Sequence, residues 1–384
     1  MIAAMASGVG MDKIGVVGLG AMGLGIVQLF AQAGFTVQGA DAYPAARAAA
    51  LDRIRTAMAT RVAAGKLDAA EMEATLKRIT ICDSAAEAAR GAALIIEAVI
   101  ENPEAKRAVL AEIEAAAAPD AVLATNTSAL RIASLAGGLS RPENLLGLHF
   151  FNPATVMKLV ELVDHGTTSA TALALARTLT ERTGKRVITC PDSPGFIVNR
   201  CARPYYGEAL ALMSEGRSAA DIDAAMLAAG YRMGPLTLID LIGADINLAA
   251  TESLSQAMGE HPRYHVFKAL RQQVARGALG RKSGQGFLFP ALPGPAPADA
   301  KDISLRIEAT LANEAASLLG ESRLSPEEID QAMMLGLNFP RGPFASARLL
   351  GRNAILTELA RLQAAAPPHL NARYVASAAL SRVF

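Results

Sequence analysis

The sequence predicts an α/β protein in which a doubly wound parallel sheet is followed by an all-α region made of two repeated helical modules. Three observations support this prediction. Short apolar runs alternate with helical stretches from about residue 13 to residue 190, which is typical of a parallel sheet covered by helices. A glycine-rich turn joins the first apolar run to the first helical stretch. Beyond residue 191 the apolar period is helical, and a set of short motifs occurs there twice.

Length, charge and cysteine content limit the possible functions. The chain has 384 residues, enough for two or three domains, and its 37 Lys and Arg nearly balance its 36 Asp and Glu. This balance gives no electrostatic case for binding nucleic acid or an acidic membrane surface.

Residues 14–40 carry no charge, but seven glycines there favour a buried strand and helix over a membrane span. Three cysteines without a CxxC pair or a signal peptide indicate reduced thiols in the cytoplasm.

The first element is a strand, turn and helix of the dinucleotide-binding type. A β-rich run over 13–18 leads directly into a G-x-G-x-x-G motif, and residues 24–33 are helical in pattern. The three glycines permit the tight turn, let a pyrophosphate approach the backbone, and let helix and strand pack closely. A second strand over 35–40 ends at an acid that suits the ribose hydroxyls of NAD and repels the extra phosphate of NADP. We therefore expect a Rossmann-type NAD site formed by Gly18, Gly20, Ala21, Met22, Gly23 and Asp41.

The alternation of strands and helices continues to residue 189. The pattern predicts helices over 44–77, 85–90, 103–117 and 169–183, and strands over 78–82, 93–99, 121–124 and 186–189. Ligands of such sheets bind at the carboxyl ends of the strands. Polar residues that directly follow the apolar runs should therefore gather at one edge of the sheet, and these residues are Glu101, Asn126, Ser128 and His149.

Residues 145–163 carry the pattern that points most directly to chemistry. Two apolar, strand-like runs lie on either side of an Asn-Pro turn; His149 ends the first run and Glu161 lies inside the second. If the chain folds back at the turn, the carboxylate faces the imidazole and fixes its tautomer. This arrangement is that of a general base with an orienting acid. The alternative is a structural histidine at the end of a strand.

The remainder of the chain is predicted to be helical. A boundary is indicated by Pro and Gly over 191–195, and Asn199 soon after it is either a helix cap or a residue that reaches the sheet edge. We expect a flexible tail over 1–12, an NAD-binding domain over 13–190, and helical domains over 191–290 and 300–384. His261 and His265 are spaced like metal ligands, but Pro262 lies between them and no third ligand is near, so no metal site is expected.

An internal repeat divides the helical region into two modules. The motifs around Glu208, Asp223 and Gly234 recur around Glu314, Asp330 and Gly342, at spacings of 106 to 108 residues. Related modules often pair by pseudo-twofold symmetry. The second module has Arg348 where the first has Asp240, and this loss of an acid indicates that the second module has become structural.

Five sequence blocks together resemble the L-3-hydroxyacyl-CoA dehydrogenases of fatty-acid and related acyl-CoA degradation. In the order of that family's sequences the blocks are EAVIENPEAK, TNTSAL, LHFFNPATVMKLVELV, DSPGFIVNR and GRKSGQGF, and the resemblance extends over nearly the whole chain from Lys13. The repeated helical module resembles the tandem pair in the dehydrogenase half of multifunctional fatty-acid oxidation proteins. The resemblance implies reversible NAD-dependent oxidation of an L-3-hydroxyacyl-CoA to a 3-ketoacyl-CoA.

The resemblance also implies roles for individual residues. His149 would be the general base and Glu161 its partner, while Ser128 and Asn199 would hold the substrate oxygen and the histidine. The nicotinamide ribose and the acyl chain would lie near Glu101 and Lys106, and candidates for contacts to the CoA phosphates are Arg61 and Lys66. The helical domain of single-module relatives dimerises, so this chain is expected to be a monomer through internal pairing of its modules, or a homodimer.

Two other functions fit part of the pattern. An NAD-dependent dehydrogenase of the same superfamily that acts on a CoA-free hydroxyacid, such as gulonate or carnitine, would use the same loop and histidine. A non-enzymatic protein that keeps the fold, as some lens crystallins do, would not need His149, Glu161, Ser128 and Asn199 together.

Overall fold

The computed structural model describes residues 12–384, which form two compact units. The first unit ends at Ser193 and the second begins at Pro194. Both helical modules belong to the second unit, so their division into separate domains stays a prediction. The tail predicted over 1–12 lies outside the described residues except for Asp12.

The first unit is built on one eight-stranded sheet with the order β3-β2-β1-β4-β5-β6-β7-β8. Neighbours from β3 to β6 pair in parallel, β6 and β7 pair antiparallel, and β7 and β8 pair in parallel. The predicted Rossmann-type fold is confirmed, because the order 3-2-1-4-5-6 is the dinucleotide-binding one. The strands are β1 Lys13–Val17, β2 Thr36–Ala40, β3 Ile79–Cys82, β4 Leu94–Glu97, β5 Val122–Thr125, β6 Leu145–Phe150, β7 Leu159–Asp164 and β8 Arg186–Pro191.

Helices cover the sheet, and one predicted helix is wrong. The stretch over 44–77 forms two helices, because Gly65 adopts a left-handed φ of +67° and the Asp68 side chain then accepts a hydrogen bond from Ala70 N to cap a new helix. The helices of this unit are α1 Ala21–Gln32, α2 Pro44–Ala63, α3 Ala69–Leu76, α4 Ala85–Ala89, α5 Pro103–Ala116, α6 Ile132–Ala136 and α7 Ala170–Glu181. Strands β4, β5 and β6 are buried at every residue, as expected for parallel strands covered on both faces.

The second unit is helical. The first module contains α8 Val198–Cys201, α9 Arg203–Ser214, α10 Ala219–Ala228, α11 Pro235–Ile242, α12 Ala244–Ala257 and α13 Lys268–Ala275. The second contains α14 Ala300–Glu321, α15 Pro326–Leu337, α16 Pro343–Leu350 and α17 Arg352–Ala365. The helices α14 to α17 of the second module correspond in order to α8 with α9, α10, α11 and α12 of the first.

The repeated aspartates explain why the motif recurs. Asp223 accepts hydrogen bonds from the first backbone N–H groups of α11, and Asp330 does the same for α16. A side chain at Gly234 or Gly342 would collide with the aspartate in its module. Each module therefore needs the same acid and the same glycine to begin the equivalent helix, which is α11 in the first module and α16 in the second.

Reciprocal ion pairs join the two modules. Arg200 of the first module lies 2.7 Å from Glu314 and 2.8 Å from Glu321 of the second. Arg306 of the second lies 2.9 Å from Glu208 and 2.7 Å from Glu215 of the first. These two sets occupy equivalent positions of the repeat, 106 residues apart. The predicted internal pairing of the modules is therefore present in the second unit.

The acid that the second module lacks has a structural role in the first. Asp240 accepts hydrogen bonds from the backbone N–H groups of Phe287, Leu288 and Phe289, each at 2.8 Å. At the equivalent position, Arg348 donates from Nε to the carbonyl of Val383 at 3.1 Å. Both residues therefore bind the last segment of their module by hydrogen bonds. Asp240 does so as an acceptor and Arg348 as a donor.

Candidate active site

The glycine loop has the geometry that a dinucleotide requires. Gly18 has a left-handed φ of +101°, and a Cβ there would collide with the backbone of Ala98. A Cβ at Gly23 would collide with the carbonyl of Gly18, so this glycine lets α1 pack against β1. Gly20 faces open space, and α1 begins directly after it without a side-chain cap. These residues fit a pyrophosphate on the N-terminus of α1.

Asp41 is attached to the glycine loop. Its Oδ2 accepts a hydrogen bond from Leu19 N at 2.7 Å, and its Oδ1 accepts one from Tyr43 N at 2.9 Å. These contacts fix the carboxylate at the end of β2, beside the loop, where the NAD-binding fold places an acid. The predicted preference of the protein for NAD over NADP rests on this position of Asp41.

His149 and Glu161 are paired across the antiparallel strands β6 and β7. They occupy opposed positions of the ladder, and His149 Nδ1 lies 2.6 Å from Glu161 Oε2. Glu161 is fully buried and His149 is 6% exposed. A carboxylate accepts only, so the proton of a neutral imidazole lies on Nδ1 and Nε2 is the basic nitrogen. The predicted contact between the two residues is confirmed.

The polar residues that follow β4 and β5 accept hydrogen bonds from the backbone near the ends of neighbouring strands. Asn126 Oδ1 accepts a hydrogen bond from Phe150 N at 2.9 Å, which joins the end of β5 to the end of β6. Glu101 Oε1 accepts from Ser128 N at 3.0 Å and from Ala129 N at 3.1 Å. Glu101 therefore holds the backbone of the loop that carries Ser128. Of the predicted gathering, the structure shows the contact of Glu101 with Ser128 and the position of Asn126 beside the end of the strand that carries His149.

A buried ion pair at this edge was not predicted. Lys106 Nζ lies 2.8 Å from Glu97 Oε1 and 3.3 Å from Glu101 Oε2, and Lys106 is 1% exposed. Glu97 also accepts hydrogen bonds from Val99 N and from Thr125 Oγ1. The sequence signal for this pair is an acid at the end of an otherwise apolar strand, nine residues before a lysine. The predicted contact of Lys106 with cofactor or acyl chain stays a prediction.

The other residues that the sequence suggested for a site are an asparagine, two basic residues near α2 and a histidine. Asn199 is the second residue of α8, in the second unit. Arg61, in the last turn of α2, and Lys66, just beyond that helix, are both exposed. His261 caps the turn that follows it by accepting a hydrogen bond from Arg263 N. Within residues 12–384 no cluster of three or more His, Cys, Asp or Glu is arranged to hold a metal ion.

Two further observations concern the membrane and the cysteines. Among the helices described over 12–384, none combines the length and apolar character that crossing a bilayer requires. Cys82, Cys190 and Cys201 are buried, and none of them forms a disulfide within residues 12–384. Burial raises the pKa of the Cys190 thiol, with Glu161 and Asp192 adding to the effect.

Family profiles match both units of the chain. The profile described as "3-hydroxyacyl-CoA dehydrogenase, NAD binding domain" matches residues 13–193. The profile described as "3-hydroxyacyl-CoA dehydrogenase, C-terminal domain" matches residues 195–289 and again residues 303–383. The second profile therefore matches once in each helical module, in agreement with the internal repeat.

Named relatives are similar over most of the chain. A 3-hydroxyadipyl-CoA dehydrogenase of Escherichia coli (strain K12) is 42% identical over 281 residues, covering 72% of this chain but only 59% of that protein's length. A probable 3-hydroxybutyryl-CoA dehydrogenase of Bacillus subtilis (strain 168) is 38% identical over 277 residues, covering 72% of this chain and 96% of that protein. The crystal structure of 3-hydroxybutyryl-CoA dehydrogenase from Escherichia coli K12 has a TM-score of 0.88 at 31% identity, covering 97% of this chain and 98% of that chain.

Proposed function

Since the chain belongs to the 3-hydroxyacyl-CoA dehydrogenase family, an NAD-dependent oxidoreductase family, we propose that it oxidises an L-3-hydroxyacyl-CoA reversibly to the 3-ketoacyl-CoA. The observation that carries this proposal is the 2.6 Å contact between His149 Nδ1 and Glu161 Oε2. It lies on the same sheet as a glycine loop that fits a dinucleotide. A general base with an orienting acid is what oxidation of an alcohol requires from the protein.

The reaction removes a proton from the 3-hydroxyl oxygen while a hydride leaves C3. Bound NAD supplies the hydride acceptor. His149 takes the proton at Nε2, and Glu161 stabilises the imidazolium that forms through its contact with Nδ1. In the reverse direction His149 returns the proton to the 3-keto oxygen. A positioned base of this kind raises the rate by a factor of about 10²–10⁴.

Neutral donors complete the proposed site. Ser128 and Asn199 would donate hydrogen bonds to the substrate oxygen as it gains negative charge, without adding a net charge of their own. Glu101 supports Ser128, because its carboxylate accepts the backbone N–H of that residue. Asn126 supports His149, because its amide oxygen accepts the N–H of the next residue, Phe150. The role of Asn199 rests on the family resemblance.

The substrate is proposed to be a CoA thioester of a short or dicarboxylic acyl chain. Relatives named for hydroxybutyryl-CoA and for hydroxyadipyl-CoA are both similar to this chain. Arg61 and Lys66 are the proposed contacts of the CoA phosphates. We further propose that the protein works in cytoplasmic acyl-CoA degradation, as in fatty-acid β-oxidation, and that internal pairing of the modules lets it work as a monomer.

An assay with acetoacetyl-CoA and NADH tests this function. Wild-type protein should oxidise NADH, and His149→Gln should lower kcat by about 10²–10⁴. His369→Gln, which changes an exposed histidine, is the matched control and should keep full activity. Turnover of free hydroxyacids such as gulonate or carnitine, without turnover of thioesters, would contradict the proposal and favour a CoA-free substrate.

A further inference from the structure

Two buried polar atoms at the interface of the helical modules lack a partner. They are Arg263 Nε in the first module and Glu314 Oε2 in the second, and neither forms a hydrogen bond within residues 12–384. The first atom is a donor and the second an acceptor. A buried polar group without a hydrogen bond is unfavourable, so each such atom in a folded protein calls for a physical explanation.

The repeat shows that Glu314 and Glu208 have equivalent surroundings. They lie 106 residues apart in the sequence. Glu208 Oε2 accepts a hydrogen bond from Tyr374 Oη at 3.1 Å, and Glu314 Oε1 accepts one from Tyr264 Oη at 2.6 Å. In both cases the same oxygen also accepts from the Nε of an arginine in the opposite module. One oxygen of each glutamate is therefore bound in the same way.

The other oxygen of each glutamate distinguishes the two sides of the interface. Arg263 and Arg373 each directly precede one of these tyrosines and lie 110 residues apart, so they are equivalent in the repeat. Arg373 Nε donates to Glu208 Oε1 at 2.6 Å. Arg263 stays further from its glutamate, with Nη1 3.6 Å from Glu314 Oε2. The two unpaired atoms are thus the equivalents of the two that form a hydrogen bond on the other side.

A small cavity adjoins both residues of the missing hydrogen bond. Its volume is about 10 Å³, and it is lined by Arg263, Glu314, Glu208, Arg373 and Thr310 among others. A space of this size holds about one water molecule and nothing larger. The lining is polar, which is the second condition for a cavity to be filled by water.

The charges around the cavity favour a neutral occupant. Two carboxylates and two guanidinium groups line it. An anion would be repelled by Glu208 and Glu314, and a cation would be repelled by Arg263 and Arg373. A water molecule carries no charge and both donates and accepts hydrogen bonds, so it can satisfy the donor and the acceptor at once.

We propose that the interface of the modules contains one bound water molecule, which accepts a hydrogen bond from Arg263 Nε and donates one to Glu314 Oε2. This water replaces, on one side of the repeat, the direct contact that Arg373 and Glu208 form on the other. The interface is therefore unequal on its two sides, although the residues are equivalent. The inference concerns the pairing of the modules and does not depend on the proposed function.

A crystal structure of the full chain, at a resolution that shows ordered water, tests this site. A density peak should lie within about 3 Å of both Arg263 Nε and Glu314 Oε2. The equivalent position between Arg373 Nε and Glu208 Oε1 is the internal control and should contain no peak. A crystal soaked in rubidium bromide should show no anomalous signal in the cavity. An empty cavity, a direct hydrogen bond between Arg263 and Glu314, or a rubidium or bromide signal would each overturn the proposal.

Double-mutant cycles provide a second measurement in solution. One cycle combines Arg263→Met with Glu314→Gln, and the matched cycle combines Arg373→Met with Glu208→Gln. The coupling within the direct pair should exceed that within the water-bridged pair by about 10-fold in the equilibrium constant of unfolding, because a charged hydrogen bond is stronger when it is direct. Equal coupling in the two cycles would contradict the bridging water. The crystal structure needs only the wild-type protein, so that test holds even if a variant fails to fold.

Discussion

Glu97 and Lys106 form an ion pair that is almost completely enclosed, with Nζ 2.8 Å from Oε1 and exposures of 0% and 1%. Lys106 also contacts Glu101, whose carboxylate accepts the N–H of Ser128. Four charged or polar residues thus connect the end of β4 to the loop proposed to hold the substrate oxygen. Removal of one partner of this pair should therefore affect both the stability of the protein and the position of that loop.

Replacing Glu97 tests this connection. Glu97→Gln should lower the free energy of unfolding by about 3 kcal/mol, because Lys106 is left as a buried cation without its nearest carboxylate. It should also lower kcat, since Lys106, the partner of Glu101, is then no longer held by Glu97. Denaturant unfolding and the acetoacetyl-CoA assay measure the two effects. The double variant Glu97→Gln/Lys106→Met should be less destabilised than the sum of the single variants, and strict additivity would contradict a direct pair.

The reciprocal pairs between the modules predict a loss of stability in acid. Burial alone would raise the pKa of Glu208, but Arg373 and Arg306 outweigh burial and lower it below its ordinary value of 4.5. Because the folded pKa is the lower one, the carboxylate contributes stability above about pH 4.5, and this contribution is lost as the pH falls through the folded pKa.

Urea unfolding between pH 3 and pH 7 measures this contribution. Glu208→Gln should be less stable than wild type at pH 7 by about 3 kcal/mol, because two buried arginines lose their shared partner. The difference should shrink as the pH falls below about 4.5, because the wild-type protein then loses the stability that the ionised carboxylate contributes. Glu143→Gln, which changes an exposed acid, is the control. A difference that does not depend on pH would contradict the ion-pair explanation.

Asp41 should decide between the two nicotinamide cofactors. Asp41→Asn removes the negative charge while keeping an oxygen that can accept a hydrogen bond from Leu19 N. The ratio of kcat/KM with NADPH to that with NADH should rise by about 10-fold, because the repulsion of the extra phosphate is lost. Steady-state kinetics with both cofactors measures the ratio. An unchanged ratio would show that another residue sets the preference.

Local patterns of the sequence predicted those parts of the site that lie close together along the chain. His149 and Glu161 flank one turn, and an antiparallel hairpin fixes which residues oppose each other, so their contact follows from the spacing. The Gly18 turn is likewise local. An isolated glycine inside a helical pattern is commonly tolerated, which is why the break at Gly65 was missed.

Contacts between distant residues could not be predicted in the same way. Arg200 and Glu314 are 114 positions apart, and no local period relates one to the other. The repeat predicted that the modules pair, but not which charges meet.

The kcat of Glu161→Gln tests the central claim most directly. The amide introduced by this substitution could still reach Nδ1, but it would carry no negative charge to hold the tautomer or stabilise the imidazolium. With acetoacetyl-CoA and NADH, kcat should fall by about 10²–10⁴, and the double variant with His149→Gln should be no slower than His149→Gln alone. A kcat within about 3-fold of wild type would contradict a base that depends on this acid.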